Sequence, residues 1–389
     1  MSFIKNTNMN ISLILGIKNN LEYTKNFYTT TRQLYPNIEI CFASYASIDG
    51  TNEWLDSLKD ENVKSFHSPE TKTFSDTFNK AAELATKDYV MFMHNDIVLA
   101  PGFFENIEKH LNEDSIISYT TIEPPIFAGH ERPGKIIKDF GIDIQSFRLN
   151  EMYDFTKLAQ EEYKDKTELG ITFFSCIPRK TYLEIGGLDR LYNPMFCEDD
   201  DLILRFKLLG LKLFTSLDSI CYHFVSKTSR FSEEYQQRTQ QIEHHSNKNF
   251  IRKWGFRNSI HNKKYNIAFS ITNCTSQILE FLEPWCDRIY IDDEMGVLKS
   301  HYIDKEQPNT KYDLLQRIMT IGYNDSLSEN DIIIEFDARN FNQESFNIIQ
   351  NLSDIIAETG EVGQFELDCF KITINSIEDY SNNLIQVIK

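Results

Sequence analysis

The chain has 389 residues, which is long for one compact core and favours two domains. Apolar residues make up 41% of it, so it has ample surface to bury and disorder is not expected. No apolar run approaches the roughly 20 residues that span a bilayer. The net charge is −18, and an acidic surface repels phosphate backbones, which argues against general nucleic-acid binding.

Cysteine usage and the start of the chain narrow the class further. The seven cysteines include no Cys-x-x-Cys pair, which argues against structural zinc and a disulfide framework. The apolar run Ile11–Ile17 has no cleavage pattern of small residues after it, so we interpret it as a first strand rather than a signal peptide. We expect a cytoplasmic protein.

The first hundred residues alternate strand-like and helix-like stretches. A helical stretch through Leu34 follows the first strand. The next elements are a strand at Ile38–Ser44, a helix at Thr51–Leu58, a helix at Thr73–Thr86 and a strand at Tyr89–Met93. This alternation predicts parallel βαβ units, in which ligands lie at the carboxyl ends of the strands.

The middle of the chain is less regular. The stretch from Glu123 to Lys166 is rich in Pro, Gly and charge, and we expect a loop-rich insertion there. Order returns at Leu169–Pro178, a helix opened by acids is expected at Glu198–Gly210, and Leu211–Phe214 is a strand candidate. We place a domain boundary near Ser259, which gives domains 1–258 and 259–389.

The C-terminal domain restarts a βα pattern and holds most of the net negative charge. The strand candidate Asp331–Phe336 ends in Asp337, as Asp88–Met93 ends in His94-Asn95-Asp96. A degenerate repeat of the first domain and an unrelated α/β unit with a common pattern both explain this. The acidic surface is solvated, or it docks a partner or a second copy.

Four polar motifs occur in a fixed order and carry the candidate chemistry. They are Ser44-Tyr45-Ala46-Ser47-Ile48-Asp49-Gly50-Thr51; Asn79-Lys80 with Asp88 to Asp96; Gly186-Gly187-Leu188-Asp189 with Glu198-Asp199-Asp200-Asp201; and Tyr222-His223. In this order they resemble family 2 glycosyltransferases of the GT-A fold over about residues 11–255. The resemblance implies an α/β fold, a Rossmann-like mixed sheet flanked by helices, followed here by a smaller C-terminal α/β domain.

The resemblance also implies a metal site. A sugar leaves a nucleoside diphosphate whose negative charge a divalent cation neutralises. Mn²⁺ or Mg²⁺ suits oxygen ligands, and Mn²⁺ also accepts imidazole. The family binds metal through the last Asp of an Asp-x-Asp motif, which matches Asp96, and through a downstream His, which matches His223. As a plain alternative, Asp96 is a turn carboxylate at a strand end.

A second implied role is that of general base. The acceptor hydroxyl must lose its proton as it attacks, and a positioned carboxylate accepts it. The family places this base in a Glu-Asp pair at a helix start, which assigns Asp199 as the base and Glu198 to the acceptor site. The helix dipole alone explains Asp200 and Asp201, with Arg205 as an (i, i+4) partner of Asp201.

The resemblance assigns further residues to the nucleotide-sugar donor. Asp49 lies in the family's nucleotide pocket, and Ser44 stands where the family has its base-contacting Asp. Lys18 and Lys80 contact the diphosphate or lie in solvent. Gly187 most simply marks a turn with positive φ, which the resemblance places along the donor sugar. The expected donor site is Gly16, Lys18, Ser44, Asp49, Lys80, His94, Asn95 and Gly187.

The resulting expectation is an inverting glycosyltransferase that moves a sugar from a nucleotide sugar, with UDP-sugars favoured, to a glycan or polysaccharide. Two alternatives stay open. A modified base of viral DNA is an acceptor suited to the basic, aromatic-interleaved run Asn249–Tyr265, which a solvated linker with Trp254 as packing anchor also explains. A non-catalytic sugar-nucleotide or glycan-binding module fits the departures at His94 and Ser44, while the Glu198-Asp199 pair argues against it.

Overall fold

The structure, a computed structural model, describes residues 9–127, 132–225, 234–321 and 326–388. The chain forms two compact units. The first comprises Met1–Arg190 with Glu198–Gln240, and the second comprises Leu191–Cys197 with Gln241–Lys389. The domain boundary between residues 258 and 259 stays a prediction, and the compact units divide earlier along the chain. Within the described ranges, no helix combines the length and apolar character needed to cross a bilayer.

A large mixed sheet forms the centre of the first unit. Its described strands are β1 (Ile11–Ile17), β2 (Glu39–Tyr45), β3 (Val63–Ser68), β4 (Tyr89–Phe92), β5 (Ile97–Leu99), β6 (Ser115–Glu123), β7 (Lys135–Ile137), β8 (Thr167–Leu169), β9 (Ser175–Pro178) and β10 (Lys212–His223). The order is β3-β2-β1-β4-β9-β6-β10-β5, with β7 beside β6 and β8 beside β10. Strands β1 to β4 are mutually parallel, as the βαβ pattern predicts.

Helices flank this sheet. They are α1 (Leu21–Leu34), α2 (Thr51–Ser57), α3 (Phe74–Leu84), α4 (Phe103–Ile107), α5 (Leu149–Glu162), α6 (Arg179–Glu184) and α7 (Glu198–Leu208). Helix α3 begins in a capping box, in which Thr73 and Asp76 satisfy each other's backbone N–H groups. Its buried face carries Phe78 and two alanines, and a Cβ on Gly16 of β1 would lie 2.8 Å from the Phe78 ring. Gly16 therefore allows β1 and α3 to approach closely.

The middle of the chain is more ordered than its sequence pattern predicts. The expected loop-rich insertion from Glu123 to Lys166 contains β7 and the 14-residue helix α5. Helix α5 buries only the stripe Met152, Thr156 and Ala159, and so narrow a stripe gives little hydrophobic periodicity. Strand β10 extends nine residues past Phe214, through a register shift between Ser216 and Ile220.

The second unit is a smaller α/β unit. Its described elements are α8 (Thr239–Trp254), β11 (Ile267–Thr272), α9 (Ser276–Leu282), β12 (Arg288–Ile291), α10 (Val297–Glu306), α11 (Leu314–Arg317), β13 (Ile318–Thr320), β14 (Ile332–Asp337), α12 (Gln343–Gln350), α13 (Leu352–Thr359), β15 (Gly363–Leu367) and β16 (Phe370–Ile374). Its sheet has the order β13-β12-β11-β14-β16-β15. A mixed sheet flanked by helices, with a smaller C-terminal α/β unit, is the fold class that we expected.

The first part of the basic run Asn249–Tyr265 is not a solvated linker, and for that part the interpretation is wrong. Helix α8 covers its first part, where Arg252 and Lys253 are both 1% exposed. Arg252 binds the buried Glu283 at 2.7 Å, which holds α8 against the rest of the second unit. Trp254 is fully buried, so its expected role as a packing anchor is confirmed.

Candidate active site

Three candidate metal ligands meet at one edge of the large sheet. His94, Asp96 and His223 each offer one ligand atom, and these atoms lie within 4.8 Å of one another. The Asp96 Oδ1 atom is 3.4 Å from His223 Nε2 and 3.9 Å from His94 Nδ1. The sequence motifs place Asp96 and His223 in this cluster, whereas His94 was assigned to the nucleotide.

Strand pairing explains why residues more than 120 positions apart meet here. Asp96 lies between β4 and β5, and β5 pairs antiparallel with the end of β10, so that His223 faces Ile97. The Phe224 N–H also donates to the Asp96 carbonyl at 3.0 Å. Both side chains thus lie at the carboxyl ends of parallel strands, where α/β sheets bind ligands.

Burial and charge shift the two imidazoles in opposite directions. His94 lies among the rings of Phe74, Phe78, Phe173 and Phe174, and burial lowers its pKa to about 4. Burial also lowers the pKa of His223, but the nearby carboxylates outweigh it and raise that pKa to about 9. Within the described part of the chain, neither His94 Nε2 nor His223 Nε2 has a hydrogen-bond partner.

Sequence reasoning missed Glu123, the other carboxylate that contacts His223. Its Oε1 lies 3.0 Å from His223 Nδ1. Arg132 forms an ion pair with Glu123, and Lys135 Nζ lies 3.6 Å from it. Burial raises the pKa of Glu123, but His223 and these cations outweigh it and lower that pKa to about 2. The signal available in the sequence was an acid at the carboxyl end of a strand.

The expected catalytic acids open helix α7. Glu198 is buried, whereas Asp199 is part-exposed and accepts a hydrogen bond from the Asp200 N–H at 3.0 Å. Asp201 and Arg205 are completely buried and form an ion pair at 2.8 Å. The (i, i+4) pairing expected for these two residues is therefore confirmed, and it leaves Asp199 and Asp200 as the two part-exposed acids of this turn.

The Gly187 turn is held by α3. The Asn79 Oδ1 atom accepts the Leu188 N–H at 2.9 Å and the Tyr182 hydroxyl at 2.5 Å. The Arg205 guanidinium donates to the Gly187 carbonyl at 2.6 Å. Gly187 has φ +71°, and a Cβ there would overlap Asn79 Oδ1. The expected positive-φ turn is present, and α3 and α7 both fix its position.

Several expected donor residues bind the protein itself. The Asp49 carboxylate accepts the N–H groups of Leu21 and Thr51, the first residues of α1 and α2. The Ser44 hydroxyl donates to Asn52 Oδ1 at 2.8 Å and lies 2.8 Å from the Ser47 hydroxyl. These bonds fix the shape of the loops after β1 and β2. Both loops lie at the carboxyl edge of the sheet, where α/β proteins bind ligands, so a nucleotide can still bind over them.

The remaining expected donor residues also have partners. Asn95 is buried and donates to the Thr24 hydroxyl at 3.0 Å. Lys18 pairs with Glu234 at 2.7 Å, and Lys80 pairs with Glu83 at 3.0 Å. Neither lysine is simply in solvent. The roles of these residues in binding a donor stay predictions.

The cluster suits a divalent cation by its distances and by its chemistry. Two ligands about 2.1 Å from one ion lie roughly 3 to 4.2 Å apart, and the two separations from Asp96 fall in that range. One carboxylate and two imidazoles offer oxygen and nitrogen donors. Within the described residues, His223 Nε2, the nitrogen that faces Asp96, has no hydrogen-bond partner, as expected of a metal ligand.

The fold and site define a mixed α/β protein with a carboxylate–imidazole cluster at the carboxyl edge of its sheet. Residues 12–181 match the family model described as glycosyl transferase family 2. This match over the N-terminal part of the chain confirms the recognition made from the motifs. Together with the mixed sheet, the match confirms the expected GT-A fold. No curated protein sequence matches the chain.

Three solved structures show more distant similarity. A mannosyltransferase from Pyrobaculum calidifontis, in complex with GDP-Man and Mn²⁺, is 15% identical, with a TM-score of 0.40 over 57% of this chain and 59% of that one. GalNAc-T7 with UDP, GalNAc and Mn²⁺ is 13% identical, with a TM-score of 0.42 over 55% and 43%. Residues 1–349 of S. aureus TarS are 10% identical, with a TM-score of 0.43 over 95% and 97%. This chain thus covers less than two thirds of the length of the mannosyltransferase and of GalNAc-T7.

Proposed function

We propose that the first unit is a nucleotide-sugar-dependent glycosyltransferase whose divalent cation is held by His94, Asp96 and His223. The carrying observation is that these three ligands converge at the carboxyl edge of the sheet of a glycosyl transferase family 2 domain. When bound, the cation neutralises the negative charge of the leaving diphosphate. Two imidazoles favour Mn²⁺ over Mg²⁺, because Mg²⁺ prefers oxygen ligands.

We further propose that Asp199 is the general base. As the acceptor oxygen bonds to the anomeric carbon, the bond from that carbon to the diphosphate breaks and the hydroxyl proton passes to the Asp199 carboxylate. A single displacement of this kind inverts the anomeric configuration. The support is the position of Asp199 in the first turn of α7, where it is part-exposed while Glu198 and Asp201 are buried. Asp200 is also part-exposed, so the choice of Asp199 rests on the Glu-Asp pair of the motif. Glu198, which is buried beside it, shapes the acceptor site.

The proposed donor is a nucleoside-diphosphate sugar, with UDP-sugars first among those to test. Its binding surface comprises the loops after β1 and β2, which Asp49 and Ser44 hold in place, and the turn at Gly187. Lys18 and Lys80 lie near this surface as exchangeable cations, since a diphosphate can replace the partially exposed partners Glu234 and Glu83.

A glycan or polysaccharide is the proposed acceptor. The case for DNA depended on the basic run Asn249–Tyr265, and three of its five Lys and Arg residues are buried in the protein. Arg252 and Lys253 are each 1% exposed, and Lys264 pairs with Asp287 at 2.9 Å. Buried cations cannot replace the counterions along a phosphate backbone, so these three residues do not contribute to a DNA-binding surface. The part-exposed Arg257 and Lys263 alone make a weak case for one.

The function is tested by a screen of nucleotide sugars for Mn²⁺-dependent release of the nucleoside diphosphate, with water replacing the acceptor. On the donor that the screen identifies, Asp199→Asn is expected to lower the rate by about 10²- to 10⁴-fold, the usual contribution of a general base. The matched control is Asp200→Asn, which removes the next acid of the same helical turn and should keep the wild-type rate.

Two outcomes of this screen would count against the proposal. If the Asp199→Asn variant releases the nucleoside diphosphate at the wild-type rate, Asp199 is not the general base. Tight calorimetric binding of UDP and Mn²⁺, with no release from any donor in the screen, would favour the non-catalytic sugar-nucleotide-binding module instead.

A further inference from the structure

Glu123 and His223 end two neighbouring strands. Strands β6 and β10 are parallel, and their register pairs Ile122 with Tyr222. The next residue on each strand is Glu123 or His223, so the two side chains leave the sheet side by side at its carboxyl edge. Glu123 is 4% exposed, and its Oε1 atom lies 3.0 Å from His223 Nδ1.

The other contacts of Glu123 fix its carboxylate in this position. Arg132 forms an ion pair with its Oε1 atom, and the Thr121 hydroxyl lies 3.3 Å from the same oxygen. Lys135, whose side chain is 8% exposed, lies 3.6 Å from the Oε2 atom. Two cations within ion-pair distance keep this buried carboxyl ionised.

The contact with Glu123 occupies His223 Nδ1, with the carboxylate as the acceptor. This hydrogen bond determines which ring nitrogen is available to other partners. His223 Nε2 is the remaining nitrogen, and it lies on the side of Asp96, 3.4 Å from Oδ1. Carboxylates that orient metal-bound histidines act in this way.

We propose that Glu123 is a positioning residue, which holds the His223 ring so that Nε2 faces Asp96 and the cation. The inference rests on the proposed metal site and extends it to Arg132 and to Lys135 at the start of β7, because these two residues hold Glu123. Removing Glu123 frees the ring to rotate and to present either nitrogen, so the cation binds less tightly.

The test is a titration of the purified 389-residue chain with Mn²⁺, in which electron paramagnetic resonance measures the free ion. Glu123→Ala is expected to weaken Mn²⁺ binding by about 10- to 100-fold, the usual effect of removing such a partner. Glu123→Leu keeps the volume without an acceptor and should behave likewise. Glu123→Gln keeps an acceptor for Nδ1–H and should bind more tightly than either.

The matched control is Glu39→Ala. Glu39 is also a buried carboxylate of the first unit, 6% exposed, and it binds Ser12, Thr86 and Lys64. Its removal should lower the free energy of unfolding yet leave the Mn²⁺ affinity unchanged. If Glu123 had a purely structural role, Glu123→Ala and Glu39→Ala would both lower the free energy of unfolding and both leave the Mn²⁺ affinity unchanged.

Asp96→Ala in the same titration separates the two claims. If Asp96→Ala loses Mn²⁺ binding while folded Glu123→Ala or Glu123→Leu binds as tightly as the wild type, the positioning role is overturned and the metal site stands. If Asp96→Ala binds as tightly as the wild type, the metal site itself is overturned.

Discussion

Gly187 shows how one residue can couple a candidate site to the stability of the fold. Its φ of +71° lies in the region that glycine adopts without strain. A Cβ there would meet Asn79, whose Oδ1 atom cannot move away without breaking its bonds to Leu188 and Tyr182. Gly210 offers a comparison, because its φ is +72° but nothing lies within 4 Å of its Cβ position.

We predict that Gly210→Ala lowers the free energy of unfolding by about 1–2 kcal/mol, the cost of the left-handed conformation alone. Gly187→Ala should lose a further ~1–3 kcal/mol, because the added methyl group overpacks the turn. Urea unfolding of both variants measures the difference. Equal losses would show that the contact with Asn79 contributes nothing.

At the level of single residues, the sequence predicts what a local motif encodes. Asp96 and His223 were assigned by motif position, and the structure brings them together. The pairing of β5 and β6 with β10 brings together residues about 100 positions apart. This pairing places His94 close to His223, and Glu123 in contact with His223. No local pattern carries that information.

Among the elements, the strands and helices before Leu99 follow the sequence pattern because their apolar periodicity is strong. Helix α5 and the second half of β10 do not follow the sequence pattern. Helix α5 buries only a narrow stripe of residues, and the second half of β10 is polar and has an irregular register with β6. The burial of α8 was missed for another reason. Its cations bind acids more than 30 residues away, so composition alone made the segment look solvated.

The connection between α8 and α9 depends on Glu283. This carboxylate is completely buried and pairs with Arg252 at 2.7 Å and with Arg317 at 2.8 Å. Burial raises the pKa of Glu283, but the two guanidinium groups outweigh it and lower that pKa to about 2. Removal of the charge leaves both arginines buried without their shared partner.

We predict that Glu283→Gln lowers the free energy of unfolding by about 3–5 kcal/mol at pH 7, as expected when one partner of a buried pair is lost. Because the folded-state pKa is depressed, the stabilisation is complete above the unfolded value of 4.5 and is lost as the pH falls toward about 2. Denaturant unfolding from pH 7 to pH 3 should therefore show the wild type and the variant converging.

The control for this element is Glu280→Gln. Glu280 pairs with Lys305 at 2.9 Å, but both side chains are more than 40% exposed, so its loss should cost less than about 1 kcal/mol. A gap between wild type and Glu283→Gln that stays constant down to pH 3 would contradict the linkage argument.

Across the whole molecule, the two sheets share a strand order. The first has β3-β2-β1-β4 followed by the antiparallel β9, and the second has β13-β12-β11-β14 followed by the antiparallel β16. Asn19 and Asn273, which follow β1 and β11, have φ of 59° and 53°. When these asparagines are aligned, the strand registers place Asp337 opposite Asp96.

The shared order supports the degenerate repeat, which stays a prediction. Asp337 pairs with Arg339, whereas Asp96 lies between two imidazoles. Among the described residues, the candidate cation ligands therefore lie in the first unit. The role of the second unit as an acidic docking or oligomerisation domain also stays a prediction.

The central claim, a divalent cation at His94, Asp96 and His223, is tested most directly by crystallising the chain with Mn²⁺ and UDP and locating the ion by its anomalous scattering. We predict a manganese peak bonded to His94, Asp96 and His223, with the diphosphate on its open side. A bound UDP whose manganese lies away from these side chains, or the same peak in crystals of Asp96→Ala, would contradict the account.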